Sequence, residues 1–262
     1  RLQAAVRTLG ERVFVGPPSV SLPDRVPTGF AALDASLGGG FVRGALNEVF
    51  SGAAGDGAAE ALLPALARLA ARTPDSGGMN PADRLPGDLR QKERLLCWIH
   101  PTRSPYPPAL VQAGADLSRW LVVRPADDDD HVWAIDLALR SGACEAVVAY
   151  VGDLSDRLLR RLQTAAEDGR TLGLFFRPAA LAPRASPAAV RLVAEPCPAA
   201  DPGRRRLELR VLKARGVPFP APVFVEWSRD PLDKPQVSGV LDRADLTGRG
   251  GAFARQFGGD RA

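Results

Sequence analysis

The sequence predicts an α/β fold: a mostly parallel sheet with helices on both faces and an antiparallel extension of strands toward the C-terminus. Three observations carry this expectation. Short apolar runs of strand length alternate with segments of helical periodicity from residue 47 to residue 176, the pattern of parallel strands joined by crossover helices. Three further strand-like runs, at 189–194, 206–212 and 223–227, follow with no helical segment between them. A glycine-rich turn at 51–57 lies between a strand and a helix, where a phosphate-binding loop would sit.

In chain order, residues 2–15 predict a short helix followed by a strand, and 17–27 an extended connector. Leu33, Asp34 and Leu37 follow Phe30 at helical spacing, and Gly38-Gly39-Gly40 ends that helix. A strand at 47–50 leads through the glycine-rich turn into a helix at 58–72, with Leu62, Leu66, Leu69 and Ala70 on one face. Residues 73–93 are rich in Pro, Gly, Asp and Arg without apolar periodicity, and predict a mobile surface insertion. Alternation resumes with a strand at 94–99, a helix at 108–114, a strand at 120–124 and a helix at 129–140 that turns Val132, Ile135 and Leu139 inward. A buried strand at 144–151, a helix at 155–168 with Leu158, Leu159 and Leu162 at core spacing, and a strand at 171–176 complete the series. From 228 the chain is polar and Gly-rich and predicts a flexible tail. The expected organisation is therefore an N-terminal segment at 1–24, one domain at 25–227 and a tail at 228–262.

Composition limits the function classes. A chain of 262 residues with 45% hydrophobic and 24% charged residues suits one large globular domain. A net charge of +4 permits nucleic-acid contact without requiring it. Cys97, Cys144 and Cys197 are far apart and form no CxxC pair, which argues against a zinc site or disulfide framework and suits a reducing cytoplasm. Cys97 and Cys144 lie in apolar strand runs and read as core residues. No apolar run approaches the ~18 residues of a membrane helix, and no signal-peptide pattern opens the sequence; a cytoplasmic protein without a membrane span is expected.

The segment Gly52-Ala53-Ala54-Gly55-Asp56-Gly57-Ala58-Ala59 has the glycine spacing of a P-loop. A working loop continues with Lys and then Ser or Thr, because the ammonium neutralises the β/γ-phosphates and the hydroxyl holds Mg²⁺. Ala58 and Ala59 do neither, and Asp56 adds a negative charge to the loop.

Three segments resemble the bacterial RecA family. Val26-Pro27-Thr28-Gly29-Phe30-Ala31-Ala32-Leu33-Asp34 is similar to its "STG…LD" motif. Gly38-Gly39-Gly40-Phe41-Val42-Arg43-Gly44 is similar to the turn before its P-loop strand, and Leu139-Arg140-Ser141-Gly142-Ala143 to the helix end before its Walker B strand. The resemblance covers about residues 25–227 and implies a RecA-like core. It also implies where active residues would fall: the lysine and hydroxyl on Ala58 and Ala59, the catalytic glutamate near Thr102, the Walker B aspartate on Tyr150, and the nucleotide-sensing glutamine near Pro178. Each is replaced, so the resemblance implies a degenerate P-loop protein that is not an enzyme and has no cofactor or metal. The DNA-gripping loops are short as well; the second, 177–187, carries Arg177 and Arg184 and no aromatic stacking residue.

Within that group the chain resembles the ImuA family of translesion-synthesis accessory proteins. The carriers are 120–127, 138–144, Arg160-Arg161-Leu162-Gln163, Phe176-Arg177-Pro178-Ala179-Ala180 and Ser186-Pro187. This implies a cytoplasmic scaffold in damage-induced mutagenesis that binds the Y-family polymerase homologue ImuB, and RecA and the error-prone C-family polymerase as further partners. The alternative is a division inhibitor of the SulA type, which shares the RecA-like fold and binds the tubulin-like division protein.

Other constellations have two readings each. The aspartates at 127–130 suit the positive end of the helix that follows, with a metal site as the sharper alternative. His100 stands at a strand end and His131 in a first helical turn beside those aspartates, where electrostatic pairing explains it. Arg204, Arg205, Arg206 and Arg210, with Lys213 and Arg215, form a basic cluster that is either a phosphate contact or a solvated strand face; Arg206, Glu208 and Arg210 share one side. Trp98, Trp120, Trp133 and Trp227 read as core. Phe253 and Phe257, four apart in the tail, suit docking on a partner. Leu2, Val6, Leu9, Val13 and Phe14 offer a surface for self-association or for RecA.

Overall fold

Continuous apolar runs become central strands because a sheet covered on both faces must bury every side chain of its middle strands. The computed structural model describes residues 24–52, 57–70, 94–214 and 222–228. Among these, a two-stranded ribbon pairs β1 (Arg25–Val26) with β2 (Phe41–Val42), and an eight-stranded sheet holds the rest. Its strands are β3 (Ala45–Ser51), β4 (Leu95–Ile99), β5 (Trp120–Val123), β6 (Cys144–Tyr150), β7 (Leu172–Pro178), β8 (Val190–Cys197), β9 (Arg204–Ala214) and β10 (Val223–Ser228). The order across the sheet is β10-β9-β8-β3-β7-β6-β4-β5. The pairs from β8 to β5 are parallel, and β8–β9 and β9–β10 are antiparallel. The predicted architecture is present, with β8 still belonging to the parallel part.

The helices are α1 (Ala31–Leu37), α2 (Ala58–Ala61), α3 (Leu63–Leu69), α4 (Pro107–Gln112), α5 (Asp128–Arg140) and α6 (Asp156–Gly169). Strand alternation sends side chains to two separate cores. Trp98, Val148 and Leu174 pack with Leu33, Leu37, Leu62 and Leu66 on one face. Cys97, Val147 and Phe175 pack with Ile135, Leu139 and Leu162 on the other.

Local chemistry explains the motif before α1. The Asp34 carboxylate accepts from the Thr28 backbone N–H at 2.6 Å and from its hydroxyl at 2.8 Å. Gly40, at φ 120°, has no room for a side chain: a Cβ there would lie 2.1 Å from the Val26 carbonyl oxygen.

Four expectations need correction. The helix foreseen at 58–72 is two helices broken at Leu62, because Pro64 cannot donate and its ring crowds the preceding turn. Trp133 is not core; it is 61% exposed on the outer face of α5. Val132 and Leu158 are only half-buried. Arg177 is not a loop residue but a buried residue of β7. The predictions for 1–23, 71–93 and 229–262, including Phe253, Phe257 and the N-terminal apolar residues, lie outside the described residues.

Candidate functional site: the cleft at the strand ends

β3 delivers the chain to the cleft at the C-terminal ends of the parallel strands, and Gly57, at φ 97°, turns it into α2. Residues 53–56 lie outside the described residues, so Asp56 has no described position. Ala58 is buried in the core and Ala59 packs against it. Both methyls therefore serve packing.

Trp227 of β10 closes over this turn. A Cβ on Gly57 would stand 3.1 Å from the Trp227 ring, so glycine is needed for that approach as well as for its φ. The Trp227 indole N–H donates to Glu60 Oε1 at 3.0 Å, and Arg205 pairs with Glu60 Oε2 at 3.0 Å. A carboxylate thus sits in the first turn of α2, where a phosphate-binding protein needs positive charge.

Across the cleft, β4, β6 and β7 end in an aromatic cluster. Tyr150 stacks on Phe176 with centroids 5.0 Å apart and 23° between planes. Trp98 lies 5.8 Å from Tyr150, and His100 meets it edge-on at 5.2 Å. His100 Nδ1 accepts from the backbone N–H groups of Thr102 at 3.1 Å and Arg103 at 2.9 Å. Burial, then the charges of Arg103 and His131, lower the His100 pKa, so the imidazole is a neutral acceptor. Between the two sides lies a cavity of about 580 Å³, lined by Ala58, Glu60, Trp98, Thr102, Tyr150 and Phe176 among others. The structure brings Gly57, Ala58, Ala59, Thr102 and Tyr150 together at this cavity. Gly52 and Pro178 line a smaller neighbouring pocket of about 230 Å³.

The basic cluster is divided. Arg205 points to the cleft side, toward Glu60. Arg204 and Arg206 lie on the opposite side of β9, each 3.5 Å from Glu226, and Arg206 covers the Phe224 ring at 4.4 Å. Arg210 pairs with Glu195 at 2.8 Å. Each of the four guanidiniums has a carboxylate partner. Arg215 lies outside the described residues.

The aspartate run behaves as a cap. Asp127 accepts from the Asp130 N–H at 2.8 Å. Among the described residues no group of three or more His, Cys, Asp or Glu is placed to hold a metal. Burial lowers the His131 pKa, against the hydrogen bond to the Ile99 backbone and the charge of Asp128, which both raise it.

One buried constellation escaped sequence reasoning. Glu48 of β3 is fully buried between Arg177 of β7, at 2.6 Å, and Arg191 of β8, at 2.8 Å. Arg177 also donates to the Gly152 carbonyl and Arg191 to that of Ala182, both at 3.2 Å. Three strands and the loops after β6 and β7 are thereby tied together beside the cleft. A charged residue in each of three apolar strands was the available signal.

The fold places the chain in the RecA-like class. It superposes on the crystal structure of the RadB recombinase with a TM-score of 0.54 over 79% of this chain and 97% of that one, at 17% identity. More particularly, residues 83–173 match the family model described as "Cell division inhibitor SulA". Cell division inhibitor SulA of Edwardsiella piscicida is 32% identical over 97 residues, covering 36% of this chain and 58% of that protein. SulA of Photorhabdus laumondii subsp. laumondii is 31% identical over 93 residues, covering 34% and 52%. The chain thus spans a little more than half the length of these curated relatives. Among the described residues no helix is long and apolar enough to cross a membrane.

Proposed function

We propose that this chain is a non-catalytic, RecA-like accessory protein of the DNA-damage response that works by binding other proteins. The observation that carries the reading is the content of the cleft. Ala58 and Ala59 are packed where a lysine and a hydroxyl would act, and Tyr150 is stacked on Phe176 where a carboxylate would act. Methyl groups cannot neutralise a triphosphate, and a neutral phenol does not supply the negative charge that a carboxylate offers beside a metal. Glu60 occupies the Arg205 guanidinium, the charged group nearest this turn. Loss of a single transition-state contact commonly costs ~10²–10³ in rate, and here several are replaced together. A fluorescent ATP analogue titrated with Mg²⁺ is the direct test. No saturable binding below about 1 mM is expected, corresponding to less than about 4 kcal/mol of binding free energy; micromolar binding with turnover would sink the proposal.

The finer reading is a scaffold for translesion synthesis that binds an ImuB-like Y-family polymerase homologue, with RecA and an error-prone C-family polymerase as further partners. Its support is the ImuA-like segments, among them Phe176-Arg177-Pro178-Ala179-Ala180. Pull-down of the tagged chain from damage-treated cells is expected to recover these proteins.

A second reading is favoured by the SulA match at 83–173: inhibition of cell division by binding the tubulin-like division protein. Inhibition of filament GTPase activity by a stoichiometric amount of the purified chain would select this reading over the first.

A further inference from the structure

The cavity of about 580 Å³ at the strand ends has the size of a small-molecule site, which runs from ~300 to ~1,000 Å³. Its walls are aromatic. Trp98, Tyr150 and Phe176 line it from β4, β6 and β7, and Tyr106, 70% exposed, lines it from the turn before α4. Trp98 and Tyr150 are tilted at 55°, and Tyr150 and Phe176 at 23°. Rings so inclined present both faces and edges, the surfaces that complement a further aromatic ring.

One rim holds a preorganised cation. Trp98 Nε1 donates to the Arg103 carbonyl at 3.1 Å, and His100 Nδ1 accepts from the Thr102 and Arg103 N–H groups. The aromatic cluster thereby fixes the backbone that brings Arg103 to the cavity. Among the described residues the exposed Arg103 guanidinium has no hydrogen-bond or ion-pair partner. Arg124 donates to Ser104 Oγ of the same rim at 2.8 Å and adds a second positive charge. Glu60, the acid among the lining residues, is engaged by Trp227 and Arg205. Ala58, Ala59 and Tyr150 leave a triphosphate unanswered, whereas a monocarboxylate needs only one guanidinium. We propose that this cavity binds a small aromatic monocarboxylate, its ring among Trp98, Tyr150 and Phe176 and its carboxylate on Arg103. The inference rests on the reading of the cleft as unable to hold Mg-ATP.

Calorimetric titration of the full chain with naphthylacetate tests it. Naphthylethylamine controls for charge and cyclohexylacetate for aromaticity. The expected result is one-site binding with a Kd between about 100 µM and 1 mM, the scale of a ligand of this size, and weaker binding of both controls. Arg103→Gln is expected to weaken naphthylacetate by about tenfold, the loss of one charge-assisted contact, and to abolish its preference over the amine. Tyr106→Ala is expected to weaken it by about threefold. Both residues are exposed, and thermal melts check that the variants fold. No saturation by about 10 mM, equal binding of either control, or an affinity unchanged in Arg103→Gln would overturn the proposal. So would tighter binding of the blocked dipeptide acetyl-Phe-Asp-amide, because the cavity would then belong to the side chains of a protein partner. Each of these results leaves the non-catalytic reading standing, which only Mg-ATP binding with turnover removes.

Discussion

Replacing Glu48 by leucine leaves two guanidiniums buried with no carboxylate between them. Glu48 is fully buried, Arg177 is 3% exposed and Arg191 is 8% exposed, so water cannot enter to replace the lost acceptor. The variant removes charge-assisted bonds of 2.6 and 2.8 Å. What remains includes one carbonyl bond of 3.2 Å for each arginine and the contacts of Arg191 and Arg177 over the Phe50 ring, at 4.8 and 5.8 Å. Removing one partner of a buried ion pair costs about 3–5 kcal/mol, and here a single carboxylate serves two cations. A loss near 5 kcal/mol is therefore expected, a large part of the ~5–15 kcal/mol that holds a domain together. For a chain of this size about 2–4 °C of melting temperature follows each kcal/mol, so the midpoint falls by roughly 10–20 °C. Glu48→Gln keeps the shape and one of the two acceptor oxygens but not the charge, and sets an amide NH₂ against the other guanidinium, so it is expected to lose less than Glu48→Leu while staying clearly destabilised. Urea unfolding followed by tryptophan fluorescence, with circular dichroism in parallel, measures both variants. A loss below about 1 kcal/mol for Glu48→Leu would refute the assignment of the triad as a fully desolvated network.

Two further outcomes are expected. His100 and His131 both have pKa values lowered from 6.5 in the folded chain, chiefly by burial. The unfolded chain therefore binds more protons on these groups as pH drops, so their contribution is complete above pH 6.5 and is lost as pH falls below it; melting temperature measured from pH 8 to pH 5 should decline below that point, and less so in a His100→Asn, His131→Phe double variant. Substitution of Arg204 and Arg206 by alanine should change single-strand DNA affinity less than about twofold at moderate salt, because both guanidiniums are turned to Glu226 and are mostly buried, leaving little of either free to meet a phosphate. A larger drop, with a flatter salt dependence, would restore the phosphate-contact reading.

The alternation of apolar runs was enough to foresee the α/β class, because periods of 2 and 3.6 are local properties of the chain. It located each described strand of the large sheet to within a few residues, including the final strands without intervening helices. That Ala58 and Ala59 carry neither a charge nor a hydroxyl was also legible, since this is a property of the side chains themselves. Partnership was not. Glu48 meets arginines 129 and 143 residues away, and only the sheet order β8-β3-β7 brings them together.

The same division runs through the site. The sequence by itself determined that Arg206, Glu208 and Arg210 share a strand face, and that Tyr150 closes an apolar strand. Only the tertiary structure decided that Arg205 turns to Glu60 beside Trp227, that Tyr150 is stacked on Phe176 with Trp98 and His100 against it at steeper angles, and that Trp133 is left facing solvent. Periodicity says which residues lie on one side of an element. Whether that side is covered depends on what the rest of the chain packs against it, and that is set by contacts distant in sequence.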